Sequence, residues 1–363
     1  MSYSVEQIAT ALGAQAFGAV DLLVSGVAEP QEAGPEQLAL AMTPAYGARL
    51  AEGQARAAML WPGADWQALG LEAALIAPRP RYAMSGLSAM MDTAWSGTEG
   101  QHPSAVVHPS AEIGAGAQIG ALVVIEEGVK IGRDARIEAH VSIARNAILG
   151  EDAVLRAGVR IGHNVVIGDR FVAQPGAVVG GDGFSFVTPE ESTIERARDS
   201  LGDQGEITQQ SYARIHSLGS VRVGHDVELG ANACIDRGTV RDTVVGDGCK
   251  FDNLSQIGHN VVLGRDCLIC AQVGVAGSSV IGNNVVLGGQ SGVSDNLTIG
   301  DNVITGGATK VLANVPAGRV MLGYPATKME NQLESYKALR RLPRLMRDVA
   351  ALKKAVSNSG ESD

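Results

Sequence analysis

Three stretches of this 363-residue chain put a histidine in the same slot of nearly the same phrase. They are "RIGHNVVIG" at 160–168, "VGHDVELG" at 223–230 and "QIGHNVVLG" at 256–264; a fourth copy, "IGNNVVLG" at 281–288, has asparagine there. An imidazole, titrating ordinarily at about 6.5, can take a proton at neutral pH, so His163, His225 and His259 are each candidate general bases. A glycine stands 18 residues beyond two of them, Gly277 after His259 and Gly181 after His163. Its backbone N–H could serve a developing oxyanion. Spacing alone does not choose between those pairs. Cys267 and Cys270 form a C-x-x-C, a spacing used in metal and redox sites.

The elements that must position these groups are legible in a six-residue period. Branched aliphatics fall at Val107, Ile113, Ile119, Ile125, Ile131, Ile137, Ile143, Leu149, Leu155, Ile161 and Ile167. The phase returns at Val223, Leu229 and Ile235, slips by four across "RGTVRD", and resumes from Val245 to Ile299. A glycine often follows the aliphatic, and a small residue stands four after it. An α-helix repeats near 3.6 residues and cannot carry this pattern. A parallel β-helix can: one hexad per short strand and turn, with the aliphatic and the small residue inward and glycine easing the turn. No hexad buries its own apolar face, so stacking makes the core. Cys249 and Cys267 fall on the small inward position and read as core residues, with Cys270 in the turn slot. The slot two after the aliphatic faces outward, which leaves the identity of its histidines free.

Composition agrees. Hydrophobic residues make up 45% and aromatics only 4%, with 46 glycines, as suits a repetitive core of small and branched side chains. The net charge of −10 argues against general nucleic-acid binding. No run approaches the roughly 18 apolar residues of a membrane span, and the first twenty residues do not read as a signal peptide. The expectation is a soluble, cytoplasmic protein.

Three regions follow. Residues 1–100 lack the hexad and read as a small α/β domain. Ser4 and Gln7 form a capping box ahead of a first helix, "LEAALIA" (71–77) reads as a buried strand, and "YAMSGLSAMM" as a helix. Residues 101–322 are the β-helix, with a polar excursion loop near 181–220. Residues 323–363 are a helical tail. Its stretch 329–356 carries seven basic against three acidic residues, a net of +4, and Pro343 should break or kink it. The tail reads equally as a solvated oligomer tail or as a docking surface for an acidic partner.

"GGDGFSF" (180–186), "ACIDRGTVRDTVVGDGCKFDNLSQIGHNVVLG" (233–264) and "VGVAGSSVIG" (273–282) resemble one branch of the hexapeptide-repeat acyltransferases. That branch is the UDP-3-O-(3-hydroxyacyl)glucosamine N-acyltransferases of lipid A (lipopolysaccharide) biosynthesis, and the resemblance covers all three regions. It implies a left-handed parallel β-helix, a homotrimer with active sites between subunits, and no metal or bound cofactor. It implies transfer of a 3-hydroxyacyl group from the phosphopantetheine arm of acyl carrier protein to the 2-amino group of a UDP-3-O-acylglucosamine. The implied general base is His259 and the implied oxyanion donor the N–H of Gly277, without a covalent intermediate. Asp252, Asn253, Gln256 and Asn260 are candidate flanking groups, with Asp252 a candidate support for the imidazole. Arg340, Arg341, Arg344 and Arg347 are candidate contacts for the carrier protein.

The N-terminal domain of that family binds uridine between two aromatics. Tyr46 matches one, Leu40 stands at the other position, and Thr43 replaces the family's asparagine. A second family histidine falls on Asn296. Competing readings are the related O-acyltransferase of the preceding step, a CoA-dependent sugar acetyltransferase, a zinc-bearing hydratase and a non-catalytic scaffold. The N-terminal domain and "CIDRGT" argue against the first. The basic tail argues against the second, and the lack of an H-x-x-x-x-H pair against the third.

Overall fold

A computed structural model of the chain describes residues 2–93, 97, 100–200, 202–203, 205–207, 209–323 and 326–359. It divides into two units, residues 1–96 and 97–363.

The first unit is a five-stranded sheet, in the order Gln15–Gly18, Ala73–Ile76, Ala57–Leu60, Gln37–Ala41 and Gly26–Ala28. Helices α1 (Val5–Leu12), α2 (Pro44–Gly47) and α3 (Pro80–Met91) accompany it. The capping box read from Ser4 and Gln7 is present, with the Gln7 N–H donating to Ser4 Oγ at 3.1 Å and the Ser4 N–H to Gln7 Oε1 at 2.8 Å. The strand expected within 71–77 is Ala73–Ile76, and the helix expected over "YAMSGLSAMM" starts two residues earlier, with Pro80 in its first turn. Proline is suited to that position, since its missing N–H would find no partner in a helix's first turn.

The second unit is built of strands two to four residues long, set in three parallel sheets of nine, eleven and ten strands among the described residues. Each strand pairs with one a full coil away. Ile119 lies beside Ile137, and Ile137 beside Leu155, an offset of 18. The inward aliphatics and small residues form one continuous buried cluster from Ala117 to Val315 in which Phe171 and Phe251 are the aromatics. Cys249 and Cys267 are buried in it.

The glycine after each aliphatic does something other than what was expected. The left-handed turn falls two positions later, at residues such as Asn164, Asn260, Ser278 and Asn296, with φ between 58° and 61°. Glycine is needed instead because coils touch. A Cβ on Gly132 would lie 2.5 Å from the backbone of Gly150.

Two insertions leave this stacking intact. Ile167 pairs with Val223 across an offset of 56, so the segment between leaves the stack and returns in phase. It carries an antiparallel pair, Phe186–Val187 with Ala213–Arg214, and helix α4 (Thr193–Asp199). The four extra residues at "RGTVRD" lengthen one coil, so Val223 pairs with Val245 and Ile235 with Ile257 at an offset of 22. The tail is one helix, α5 (Met329–Ser359), with Pro343 inside it. Of the expected break or kink, the break does not occur. A proline removes one helical hydrogen bond, and the helix continues across it on the bonds of either side.

Candidate active site

The repeated slot resolves into three different environments, set by what the neighbouring coils place against each ring. His225 is exposed and is a rung in a ladder. In successive coils the side chain in this slot accepts the backbone N–H of the slot below. Glu151 donates to Asp169 Oδ1 at 2.9 Å, Asp169 to His225 Nδ1 at 3.0 Å, and His225 to Asp247 Oδ1 at 2.8 Å. Farther up, Arg265 donates to Asn283 Oδ1 at 2.9 Å. His225 and Asn283 therefore serve the stack.

His163 is held by Arg237, the arginine of "CIDRGT". Arg237 is 1% exposed. Its Nη1 lies 2.6 and 2.7 Å from the two ring nitrogens, its Nη2 donates to the His163 carbonyl at 2.8 Å and its Nε to the Gly219 carbonyl at 2.9 Å. Burial, and then the guanidinium, hold the His163 imidazole below its ordinary pKa. It is a neutral acceptor for a buried cation.

His259 opens onto a cleft, and among the described residues neither His163 nor His225 lines it. The cleft encloses about 710 Å³ and is lined by Asp182, Gly183, Phe184, Phe186, Arg214, Asp236, Gln256, Gly258, His259, Val275, Ala276 and Gly277. The coils make its floor, and the excursion after Gly181 makes a wall. On that wall Phe184 and Phe186 meet edge to face at 5.0 Å and Arg214 stacks on Phe186 at 4.6 Å.

Asn260 orients the ring. It is 7% exposed and sits at φ 61°, a left-handed conformation that asparagine tolerates well. Its Nδ2 donates to the Arg241 carbonyl at 2.8 Å, which fixes Oδ1 as the atom facing the other way. That oxygen accepts the Thr239 N–H at 3.1 Å and lies 2.9 Å from His259 Nδ1. An amide oxygen only accepts, so Nδ1 carries the proton and Nε2 keeps its lone pair.

Nε2 faces Gly277. A Cβ there would stand 2.7 Å from Cε1 and 2.8 Å from Nε2. On the other side, a Cβ on Gly183 would stand 2.7 Å from the His259 Cβ. The imidazole lies in a slot between two glycines, one from the next coil and one from the excursion. The Gly277 carbonyl accepts the Asn296 N–H at 3.1 Å, while the Gly277 N–H has no acceptor among the described residues. A basic nitrogen and a free backbone donor thus stand side by side, the arrangement that addition to a carbonyl requires.

The other residues singled out from sequence fall in several places. Gln256 lines the cleft. Asp252 and Asn253 are exposed and belong to a turn away from it. The Asn253 N–H donates to Asp252 Oδ1 at 2.7 Å, and Asn253 Oδ1 accepts the Ala231 N–H at 2.6 Å. Asn296 is exposed, bonded to its neighbour Asp295 at 3.2 Å, and is not a lining residue. In the first unit, Thr43 precedes α2 without capping it by its side chain, Tyr46 on α2 is 45% exposed, and Leu40 packs against that unit's core. Arg340, Arg341, Arg344 and Arg347 lie exposed along α5. Asp182, Gly183 and Asp236 were not singled out, although "GGDGFSF" and "CIDRGT" contain them. The signal for Asp236 was the offset of 22 created by the four-residue slip, which sets it in the coil below His259; Asp182 and Gly183 lie in the excursion, which no period marks.

Among the described residues, no three His, Cys, Asp or Glu side chains are gathered as a metal ion would require. No helix among them is long and apolar enough to cross a membrane.

Comparison with known proteins identifies the family of the whole chain. Residues 21–90 match the family model described as UDP-3-O-(3-hydroxymyristoyl) glucosamine N-acyltransferase. Residues 110–145 and 242–277 match that of the bacterial transferase hexapeptide. A solved Arabidopsis UDP-N-acetylglucosamine acyltransferase shares the fold, left-handed parallel β-helix included, with a TM-score of 0.50 and 24% identity over 61% of this chain and 71% of that one. A curated UDP-3-O-acylglucosamine N-acyltransferase of Paracoccus denitrificans is 59% identical over 98% of this chain and 97% of its own. That of Ruegeria pomeroyi is 62% identical over the full length of both chains. With such identity from end to end, this chain belongs to the UDP-3-O-acylglucosamine N-acyltransferase family.

Proposed function

We propose that this enzyme moves a 3-hydroxyacyl group from the phosphopantetheine arm of acyl carrier protein to the 2-amino group of UDP-3-O-(3-hydroxyacyl)glucosamine, a step of lipid A biosynthesis. The observation that carries this reading is the seat of His259 Nε2 against Gly277, where a Cβ would stand 2.8 Å away and whose N–H has no acceptor among the described residues. The amine attacks the thioester carbonyl, the Gly277 N–H receives the oxyanion, and Nε2 takes the amine's proton. The resulting imidazolium returns that proton to the leaving sulfur. No acyl-enzyme forms, and no cofactor is needed beyond the arm that delivers the acyl group. Asn260 acts as a positioning residue through its bond to Nδ1.

Further parts of the reading rest on the family. The first unit takes the uridine, with Tyr46 stacking and Leu40 and Thr43 alongside. Asp252 and Asn253 are substrate-side groups flanking His259, Asp252 as a support for its imidazole, Asn296 hydrogen-bonds phosphate or sugar, the active sites lie between the subunits of a homotrimer, and the exposed arginines of α5 receive the acidic carrier. With a carrier-protein donor, the reaction is cytoplasmic.

The test is incubation with a panel of 3-hydroxyacyl carrier proteins and UDP-3-O-acylglucosamine, with products read by mass spectrometry. An N-acylated product from wild type, lost by 10²–10⁴-fold in His259→Ala, is expected. Full turnover by His259→Ala, or sedimentation of a stable monomer near 37.5 kDa, overturns the reading.

A further inference from the structure

Proton accounting exposes a task that His259 cannot perform alone. A 2-amino sugar meets the enzyme largely as an ammonium ion, since amines beside electron-withdrawing groups titrate at about 7.7–8.0. An ammonium has no lone pair. It must lose one proton before it attacks and a second as the tetrahedral adduct forms. Nε2 has room for one.

A second base faces the same cleft. Asp236 ends the strand Cys234–Asp236 in the coil below His259 and is half-buried in the cleft floor. Its neighbours there are Gln256, which hydrogen-bonds its carboxylate, and His259 from the next coil, with Asp182 from the start of the excursion. Arg214 reaches the cleft from the excursion but is stacked on Phe186, and Cys234 lies on the same strand as Asp236. Asp236 makes no ion pair of 4 Å or less among the described residues. A half-buried carboxylate without a cation, facing the same space as Nε2 and the free N–H, is suited to receive an ammonium.

Resting on the reaction proposed above, we infer that Asp236 binds the acceptor's ammonium and takes its first proton. The ammonium and the carboxylate become a neutral amine and a carboxylic acid. The amine then attacks the thioester and gives its second proton to His259, which passes it to the leaving sulfur. The products are the amide, the thiol and a protonated Asp236 that releases its proton to solvent. The net change is one proton released per amide formed. Burial, with Asp182 adding to it and Gln256 and His259 opposing, pushes the Asp236 carboxyl above the ordinary carboxylate range. That brings its basicity closer to the amine's.

The test is the ratio of kcat/KM between wild type and Asp236→Asn, measured with the acceptor from pH 6 to pH 9.5. Without the carboxylate the enzyme depends on free neutral amine, about 2% of the total at pH 6 for an amine titrating near 7.8. The variant should therefore be about 50-fold slower at pH 6 and within about 3-fold of wild type at pH 9.5, with Asp236→Glu partly restoring the acid side. A ratio that stays constant across this range reports a structural role and overturns the inference. A second measurement needs no variant. Calorimetric binding of UDP-3-O-acylglucosamine to wild type, without donor, should weaken several-fold between pH 7 and pH 9.5 as the ammonium is lost. Equal affinity at both overturns the inference too. If instead His259→Ala turns over normally, the reaction assigned to this cleft fails, whatever the ratio at Asp236.

Discussion

Replacing Gly277 by alanine adds one methyl at the narrowest point of the site. Gly277 is not at positive φ, so alanine can take its backbone conformation without strain. The methyl would stand 2.7 and 2.8 Å from the imidazole, where ordinary contacts begin at 3.4 Å. The ring must then retreat by roughly 0.6 Å, and Gly183 on its far side leaves it little room. The retreat also strains the 2.9 Å bond from Nδ1 to Asn260. A misplacement of about 1 Å costs on the order of 10²-fold in rate, so kcat should fall by about that factor. The melting temperature should stay near that of wild type, because no core residue moves. Gly274→Ala serves as the control, since a Cβ there meets nothing within 4 Å. The assay is steady-state acyl transfer alongside thermal unfolding. A Gly277→Ala enzyme with wild-type kcat would show that Nε2 does not act from the position seen here. A fall in kcat matched by a fall in melting temperature would mean that the loss is one of folding.

His163→Ala should keep its activity per folded molecule while losing about 1–3 kcal/mol of stability, because it leaves the buried Arg237 short of an acceptor; denaturant unfolding checks this. His163 should also make stability depend on pH. Its folded pKa lies below the unfolded value, so the unfolded chain binds the proton more readily. The stabilisation is complete above about pH 6.5 and is lost as pH falls below it, and His163→Gln should remove that part of the dependence in thermal melts. Reversing the charges at Arg340, Arg341, Arg344 and Arg347 should raise the carrier-protein KM. Wild type should show a matching rise with salt, since exposed charges are screened over about 8–10 Å at physiological ionic strength. An unchanged KM across the series assigns the tail no part in docking. Leu40→Phe should leave UDP-sugar affinity unchanged or tighter; a marked loss in a folded variant would show that its packing against the domain core is its whole role.

The hexad made the coils legible because every coil solves the same packing problem. Ile119, Ile137 and Leu155 stack at a constant offset of 18, and any reader of the period finds them. What separates the three histidines is not periodic. Arg237 reaches His163 across 74 residues, and Gly183 reaches His259 from inside the excursion. Both contacts depend on the insertions that interrupt the count, which spacing cannot encode. His259 was reachable only through the motif around it. Asn260 was singled out as a group flanking the site, but its bond to Nδ1 depends on the backbone of Thr239 and Arg241, in the slipped coil. The tail's helical character was legible, whereas its continuity through Pro343 was not, because one lost hydrogen bond is small against a 31-residue helix.

The excursion that departs after Gly181 and rejoins at Val221 without moving the stack separates two kinds of inheritance. The floor of the cleft, with His259 and Gly277, is tied to coils whose backbones touch, and almost any change there is felt by both neighbours. The wall that bears Phe184, Phe186 and Arg214 is tied to the stack near its two ends, by Gly183 against His259 and Gly219 against Arg237, and between them can lengthen, shorten or change composition with little effect on the coils. Descendants of one such solenoid can therefore diverge in what they admit to the cleft while the chemistry inside it stays fixed.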